Sequence, residues 1–572
     1  MTRVHLRLIT ALIVLPSFFA STTILTEAQL SGTDTYAITN ARIVTVSRPA
    51  IERGTIVIRD GVIAAVGANV SVPADARVID GTGLTVYPGL IDSSTALGIP
   101  QPSPSPSPSP SPGAATPGFG QLRQQAITIT ALNSSQPPGL QPEIMAEDYI
   151  KPGGDQIEAA RNLGITTALS VPRQGIWMGQ SALINLAGDT TQQMIVRSPV
   201  AMHVGFTPLR TGGYPNSLLG VFSVLRQMLL DAQQYREAAR AYAASPAGKR
   251  RPEQNKSLGA LLPVLDGVMP VVMYADRERE ISRALDLAQE FKLRAIIAGG
   301  MESEKLANRL RDSKVPVLLS LNFPRRTTMA MPEADPEPVR VLRERVAAPK
   351  TAGKLVTARV QFAFQSGSPT NQSDFAANLR RAIENGLSRA DALRALTISP
   401  AEILGVADRL GTLDVGKIAN LTITRGDLFD QNSRITHVFI DGRPVDLRPA
   451  SPATTGEIAS GSWALKIDFG KGDIAVTLIL EQEGERLRGS IQDGLGNNEI
   501  ANASASSGGE IRFTVLTTLE DQTAEATFTG KVTGNEMKGT VNVVGRDPGT
   551  FTGTRSRTRL APRESPTPPG GE

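Results

Sequence analysis

From about residue 145 to residue 405, apolar runs of strand length alternate with amphipathic helical stretches, and this alternation narrows the fold more than any other feature of the chain. Ala168–Val171, Met194–Val204, Val268–Tyr274, Arg294–Ala298, Pro316–Leu321 and Arg359–Phe364 are the strand-like runs. Between several of them lie helical patterns, at Leu218–Tyr242, Arg277–Phe291, Ser303–Arg311 and Asp374–Asn385. Repeated strand–helix units argue a parallel α/β architecture, most simply a (β/α)8 barrel. Ser388 to Gly405 reads as further helix, with Pro400 at a helix start, where its missing N–H costs nothing.

Shorter strands flank this region. From Tyr36 to Val86 the pattern is YAITNARIVTV, GTIVIRDGVIAAVG and ARVIDGTGLTVYPG. Asp60-Gly61 stands between apolar runs, a hairpin signal because glycine supplies the positive φ such a turn needs. Residues 410–447 return to strands, with a second Asp-Gly turn at Asp441-Gly442. Residues 101–117 are a Pro/Ser low-complexity run whose prolines deny backbone donors, so an extended, solvated loop is expected. Residues 449–459 read as a linker, and 460–558 carry about seven or eight strands separated by glycine turns, an all-β domain of up-and-down barrel or sandwich type. A Pro/Gly-rich tail, 559–572, is expected to be disordered.

Composition limits the chemistry. A net charge of +4 in 572 residues argues against nucleic acid as a partner, and 16 Phe, 2 Trp and 7 Tyr leave little for base stacking. Without cysteine there is no disulfide, thiolate metal site or cysteine nucleophile. Only three histidines occur: His5, His203 and His437. Arg3 and Arg7 before the apolar run Leu8–Ala20 form a secretory signal, 1–28, with cleavage after Ala20 or Ala28 both fitting the small-residue rule. The run is short for a transmembrane anchor, so export to the periplasm or cell exterior is expected. His5 leaves with the signal.

Tyr87-Pro88-Gly89-Leu90-Ile91-Asp92, following GTIVIRDGVIAAVG and ARVIDGTGLTV, resembles the N-terminal signature of the amidohydrolase superfamily, in its imidazolonepropionase-like and dipeptidase-like branch. ALRALTISPAEILGVADRLGTLDVGKIANLTITRGD resembles the family's closing signature. The resemblance spans about 36–447 and implies a barrel over 87–407, joined to a composite β-sandwich built from 29–86 and 408–448. It also implies hydrolysis of C–N bonds with one or two divalent metal ions such as zinc, which activate water and polarise the scissile carbonyl.

Transferred residue by residue, the family's ligand pattern fails. The His-x-His positions after the first strand fall on Ser94 and Ala96, the histidine of the fifth strand on Tyr274, and the aspartate after the eighth on Gly367. AIIAGGMES offers no imidazole for the sixth strand, and the mid-barrel lysine or glutamate has no evident counterpart. Asp92, His203 and Asp276 are weak pocket candidates; Asp92 reads as a local hydrogen-bonding residue and His203 as a packed or hydrogen-bonded one. His437 aligns with the sandwich, away from barrel chemistry, and Glu143, Glu147 and Asp148 read as surface polarity. A serine nucleophile at Ser94 or Ser366 would need His203 nearby, and no GxSxG elbow is present. The expectation is an exported amidohydrolase relative that has lost its metal site. With no cofactor, it would bind a small molecule or peptide, and it could form an oligomer or an assembly with a ligand-complete relative. The alternative is an active C–N hydrolase with an atypical site at the barrel's C-terminal face.

Overall fold

The computed structural model describes residues 35–100, 129–131, 133–209, 214–324, 338–367, 372–447, 459–470, 473–483, 486–493, 496–505, 509–519, 522–543 and 548–555. The expected signal, the 101–117 loop, all but one residue of the linker, and the tail lie outside them. Among the described residues no helix is long and apolar enough to cross a membrane.

The central feature is a ring of strands. Leu90–Thr95 pairs in parallel with Ile165–Ser170, and Met202–Gly205, Val271–Ala275, Ala295–Gly299, Val317–Ser320 and Phe362–Gln365 pair in parallel in that order. Phe362–Gln365 lies against Leu90–Thr95, where Ser93 Oγ donates to the Phe364 carbonyl at 2.7 Å and the Gly367 N–H to the Ser94 carbonyl at 3.1 Å. Alternate inward residues, among them Ile91, Leu169, Leu183, Val272, Ile296, Leu318 and Ala363, fill the interior as one buried cluster. Helices such as Leu218–Ala244, Glu278–Phe291 and Gln372–Glu384 contribute the outer layer, with Leu225, Ile281, Leu285 and Leu379 in its core. Each such side chain stabilises the fold by roughly 1.5–3 kcal/mol.

The ring departs from a uniform parallel barrel at one stave. Trp177–Gln180 runs antiparallel to Met202–Gly205, and Ala182–Asn185, one residue further along, runs antiparallel to Ile165–Ser170. The cause is a short connection: only the six residues Val171–Ile176 separate Ser170 from Trp177. A parallel crossover needs about a dozen residues or more, so the chain folds back on itself instead. The apolar run Met194–Val204 is likewise not one strand. Thr190 caps a short helix, Thr191–Met194; Ile195–Arg197 then pairs with Ala182–Asn185, and Pro199, lacking an N–H, precedes the strand Met202–Gly205. Helices over Lys256–Leu265 and Val339–Thr357, each containing an internal proline, were not legible in the sequence pattern. Ser388–Gly405 divides into Arg389–Leu396 and Ile398–Ile403, with Pro400 in the first turn of the second.

Strands from both ends of this region join into one hydrogen-bonded sheet of eight strands. Tyr36–Ile43 sits at its centre, pairing with Ile51–Arg59, Arg77–Asp80 and Leu84–Pro88. Leu421–Arg425 joins from the far end of the chain, antiparallel to Leu84–Pro88, and Arg434–Ile440 pairs with it in turn. The sheet encloses Ile38, Ile43, Ile56, Ile63, Val86, Leu421, Ile423 and Phe439. Both Asp-Gly hairpins form, with φ of 51° and 80° at Asp60-Gly61 and 50° and 76° at Asp441-Gly442. The two turns touch, and the Ala419 N–H donates to the Gly61 carbonyl at 2.9 Å while the Gly442 N–H donates to the Ala419 carbonyl at 3.1 Å.

Gly461–Asp468 begins a second all-β unit, in which eight consecutive antiparallel strands close on themselves when Gly549–Arg555 pairs with Gly461–Asp468. This is the up-and-down barrel of the two expected forms. Its interior is filled by alternate residues including Trp463, Leu465, Leu478, Phe513, Phe528, Met537 and Phe551. Trp463 Nε1 donates to the Ala459 carbonyl at 2.8 Å, and the Arg555 guanidinium lies 4.5 Å from its ring centroid.

A Cβ at Gly442 would lie 2.6 Å from the Gly61 Cα and would also have to adopt positive φ. Gly442→Ala is expected to destabilise the protein by about 1–3 kcal/mol, read as an earlier urea unfolding transition, whereas Gly416→Ala at the unobstructed φ +87° position costs less.

Candidate functional site

The C-terminal ends of the parallel strands carry a buried polar network. Asp92, on the first strand, is fully buried. Its carboxylate accepts from the Ser366 N–H at 3.0 Å, the Ser366 hydroxyl at 2.5 Å and the Ser94 N–H at 3.3 Å. Ser94 reaches across the ring, where its Oγ shares a 2.7 Å hydrogen bond with the Tyr274 hydroxyl of the fifth strand. That hydroxyl lies 3.2 Å from His203 Nδ1, so serine, tyrosine and histidine form one chain. The structure thus brings Ser94, Tyr274, Asp92 and His203 together, with Gly367 hydrogen-bonded to the Ser94 backbone. Ala96 is buried and supplies no polar atom. His203 lies between Ala201 and Gly205 on the mid-barrel strand whose ligand position had no counterpart in the sequence comparison. His437 is remote, on the composite sheet, paired in register with Ile423.

The residue that sequence reasoning missed is Arg173. It follows the second strand in the tight Val171–Ile176 connection, with a φ of 55°. Its guanidinium carbon lies 5.0 Å from the Tyr274 ring centroid, within cation–π range. Nη1 lies 3.8 Å from where a Cβ on Gly367 would stand. One cation therefore spans the mouth between the second, fifth and eighth strands. The available signal was a single arginine placed directly after an apolar strand end, two residues before Gly175.

Burial and Arg173 together set the protonation states. Desolvation pushes the Asp92 carboxyl up to about 6, opposed by its hydrogen bonds from Ser366 and Ser94 and by the Arg173 charge. Desolvation, then Arg173, drives His203 down to about 3, so its imidazole is neutral. Desolvation also raises the Tyr274 phenol, with Arg173 acting against it. Three buried polar atoms here lack a hydrogen-bond partner: His203 Nε2, Gln365 Oε1 and Arg173 Nη1. Asp276 stands beyond the fifth strand at the rim, where desolvation and then Glu280 raise its carboxyl. It borders an open cleft of about 1020 Å³ whose walls include Arg277, Glu280, Glu302, Ser320 and Arg343.

The donor set does not suit the divalent ion that the family resemblance implies. Ser94 and Tyr274 are neutral hydroxyls bonded to each other, Asp92 already accepts three hydrogen bonds, and the Arg173 guanidinium adds a positive charge beside Tyr274. On the sixth strand Gly299 has a φ of 92°, which disfavours any side chain, and a Cβ there would require Asp276 Oδ1 to move. Among the described residues no three His, Asp or Glu side chains gather as a metal-binding group. A zinc site usually draws on three such ligands.

Residues 280–445 match the amidohydrolase family, a stretch that holds the sixth to eighth strands and the return into the composite sheet. The chain's fold is similar to that of an amidohydrolase from Thermotoga maritima MSB8, with a TM-score of 0.60 and 24% identity over 72% of this chain and 100% of that one. A prolidase complexed with N-methylphosphonate-L-proline aligns over 72% of this chain and 100% of its own at 18% identity and a TM-score of 0.44. A Xaa-Pro dipeptidase with bound methionine aligns over the same shares at 14% and 0.41. No curated protein matches the chain in sequence. The amidohydrolase superfamily resemblance is supported by the family match and the shared fold.

Asp92 titrates near 6 when folded and near 3.8 when unfolded, so the folded state binds the proton more tightly. Its contribution favours folding at acid pH and is lost as pH rises from about 4 through 6. Replacing it should remove that term: wild type is expected to gain on Asp92→Asn by up to about 3 kcal/mol between pH 7 and pH 4, measured by urea unfolding of both proteins. His203, depressed to about 3, works in the opposite sense and is common to both, so it cancels in the difference.

Proposed function

We propose that this is an exported, non-hydrolytic relative of the amidohydrolases that binds a small molecule or peptide at the mouth of its strand ring, in the periplasm or outside the cell. The observation that carries the reading is the identity of the groups at the ion's place. Two hydroxyls hold one another, and a guanidinium lies over the tyrosine. Metal affinity falls steeply as ligands are removed, since each remaining bond must offset desolvation without its neighbours' help. Relatives in this family act on C–N bonds, and the positions where the resemblance implies ligands carry Ser94, Ala96, Tyr274 and Gly367 in this chain.

The Ser94–Tyr274–His203 chain invites a second reading, as a metal-free hydrolase with a serine nucleophile. Its physical chemistry opposes that use. Ser94 is fully buried, desolvation raises the Tyr274 phenol, and His203 is too acidic as an imidazolium to act as a base. The network is organised to stay neutral.

Elemental analysis of the purified mature protein is expected to find less than stoichiometric zinc, manganese or iron. Screening N-acyl amino acids, dipeptides and cyclic amides is expected to find no turnover. Stoichiometric metal together with chelator-sensitive hydrolysis would refute the proposal.

A further inference from the structure

We propose that the guanidinium of Arg173 takes the place of the divalent ion at the ring mouth and makes the recess a metal-free anchor for a single carboxylate group. The inference rests on the non-hydrolytic reading and adds the chemistry of the ligand.

Position supplies the first argument. Arg173 starts from the second strand, crosses the face of Tyr274 on the fifth and ends beside Gly367 on the eighth. These strands are spaced around the ring, so the charge lies across its mouth. The second argument is an unmet hydrogen-bond donor. Arg173 Nη1 is buried without an acceptor, although a guanidinium N–H in that state costs free energy. His203 Nε2, on a fully buried ring in the same network, is also unpartnered. The third is conformation. A φ of 55° is uncommon for a residue other than glycine, and here it aims the side chain inward over the ring.

Charge selects the ligand. Asp92 and Asp276 are the carboxylates that sense the Arg173 charge, so a doubly charged anion would meet their repulsion. A monoanion meets only about half of that repulsion, and the planar carboxylate matches the guanidinium fork. Tyr274 itself packs against the apolar ring interior that includes Ala298 and Val272. A carboxylate carried on a small, otherwise neutral body fits both features.

The test uses the full mature protein in EDTA, with benzoate and N-acetylglycine as probes and benzamide and N-acetylglycinamide as their neutral counterparts. Calorimetry and ligand-observed NMR are expected to show the acids binding and the amides at least about tenfold weaker. Arg173→Gln should weaken the acids by about tenfold or more and leave the amides unchanged, with Arg173→Lys intermediate. If Arg173→Gln fails to fold, by circular dichroism, the acid–amide contrast in wild type and Arg173→Lys decides. Equal binding of acid and amide, binding that ignores Arg173, or no acid binding in the millimolar range would each overturn the proposal. An acid that binds only after zinc is added would overturn it as well. Stoichiometric metal with amide hydrolysis would remove the non-hydrolytic reading and this proposal together, whereas indifference to Arg173 removes this proposal alone.

Discussion

A carboxylate buried at the end of a barrel strand must be neutralised by what surrounds it, and that requirement organises the mouth of this ring. In a metal enzyme an ion would do it. Around Asp92 the work is divided: Ser366 and Ser94 supply three hydrogen bonds, Arg173 supplies positive charge, and desolvation still leaves the carboxyl titrating near 6. The neighbouring groups follow the same logic. Tyr274 stays protonated and His203 stays neutral, so among the described residues of this network the charged groups are Asp92 and Arg173, with Asp276 at the rim.

The antiparallel stave and the position of Arg173 are one structural event. In a βα unit the residues after a strand lead outward into a helix. Here the six residues Val171–Ile176 instead turn the chain back down the ring. Arg173 lies at the turning point with a left-handed backbone, which sends its side chain inward over Tyr274. Had a helix followed Ser170, no cation would be delivered to this place by this segment. The antiparallel stave and the cation at the mouth therefore share a cause.

Much of the fold was legible because it rests on periodicity. The runs near Val271–Ala275, Ala295–Gly299 and Val317–Ser320 are apolar on both faces, as strands covered by helices must be, and the Asp-Gly pairs mark their hairpins through a backbone requirement local to two residues. The antiparallel stave was not legible. Trp177–Asn185 is as buried as its parallel neighbours, and strand direction leaves no mark on hydrophobicity. Helices over Lys256–Leu265 and Val339–Thr357 escaped notice because Pro263 and Pro349 argue against helix where tertiary packing overrides them. At the site, Ser94 and Tyr274 could be named because a family pattern pointed to their positions. Arg173 and Ser366 lie outside that pattern, and their importance comes from contacts made across the ring between residues far apart in the chain.

The opposite end of the ring shows why such a mouth can change its chemistry without losing the fold. There Asn185, at the far end of the antiparallel stave, donates to Asp441 at 2.7 Å and accepts from Thr167 at 2.9 Å and from Asn420 at 2.8 Å. Asn420 in turn accepts from the Asp441 N–H at 2.9 Å. This buried amide network ties the ring to the composite sheet, and it involves none of the residues at the mouth. The same stave that admits Arg173 at one end anchors the sheet at the other. In barrels of this kind the C-terminal rim carries function and the N-terminal end carries stability. The separation lets the residues at the rim vary while the ring and sheet beneath keep their packing.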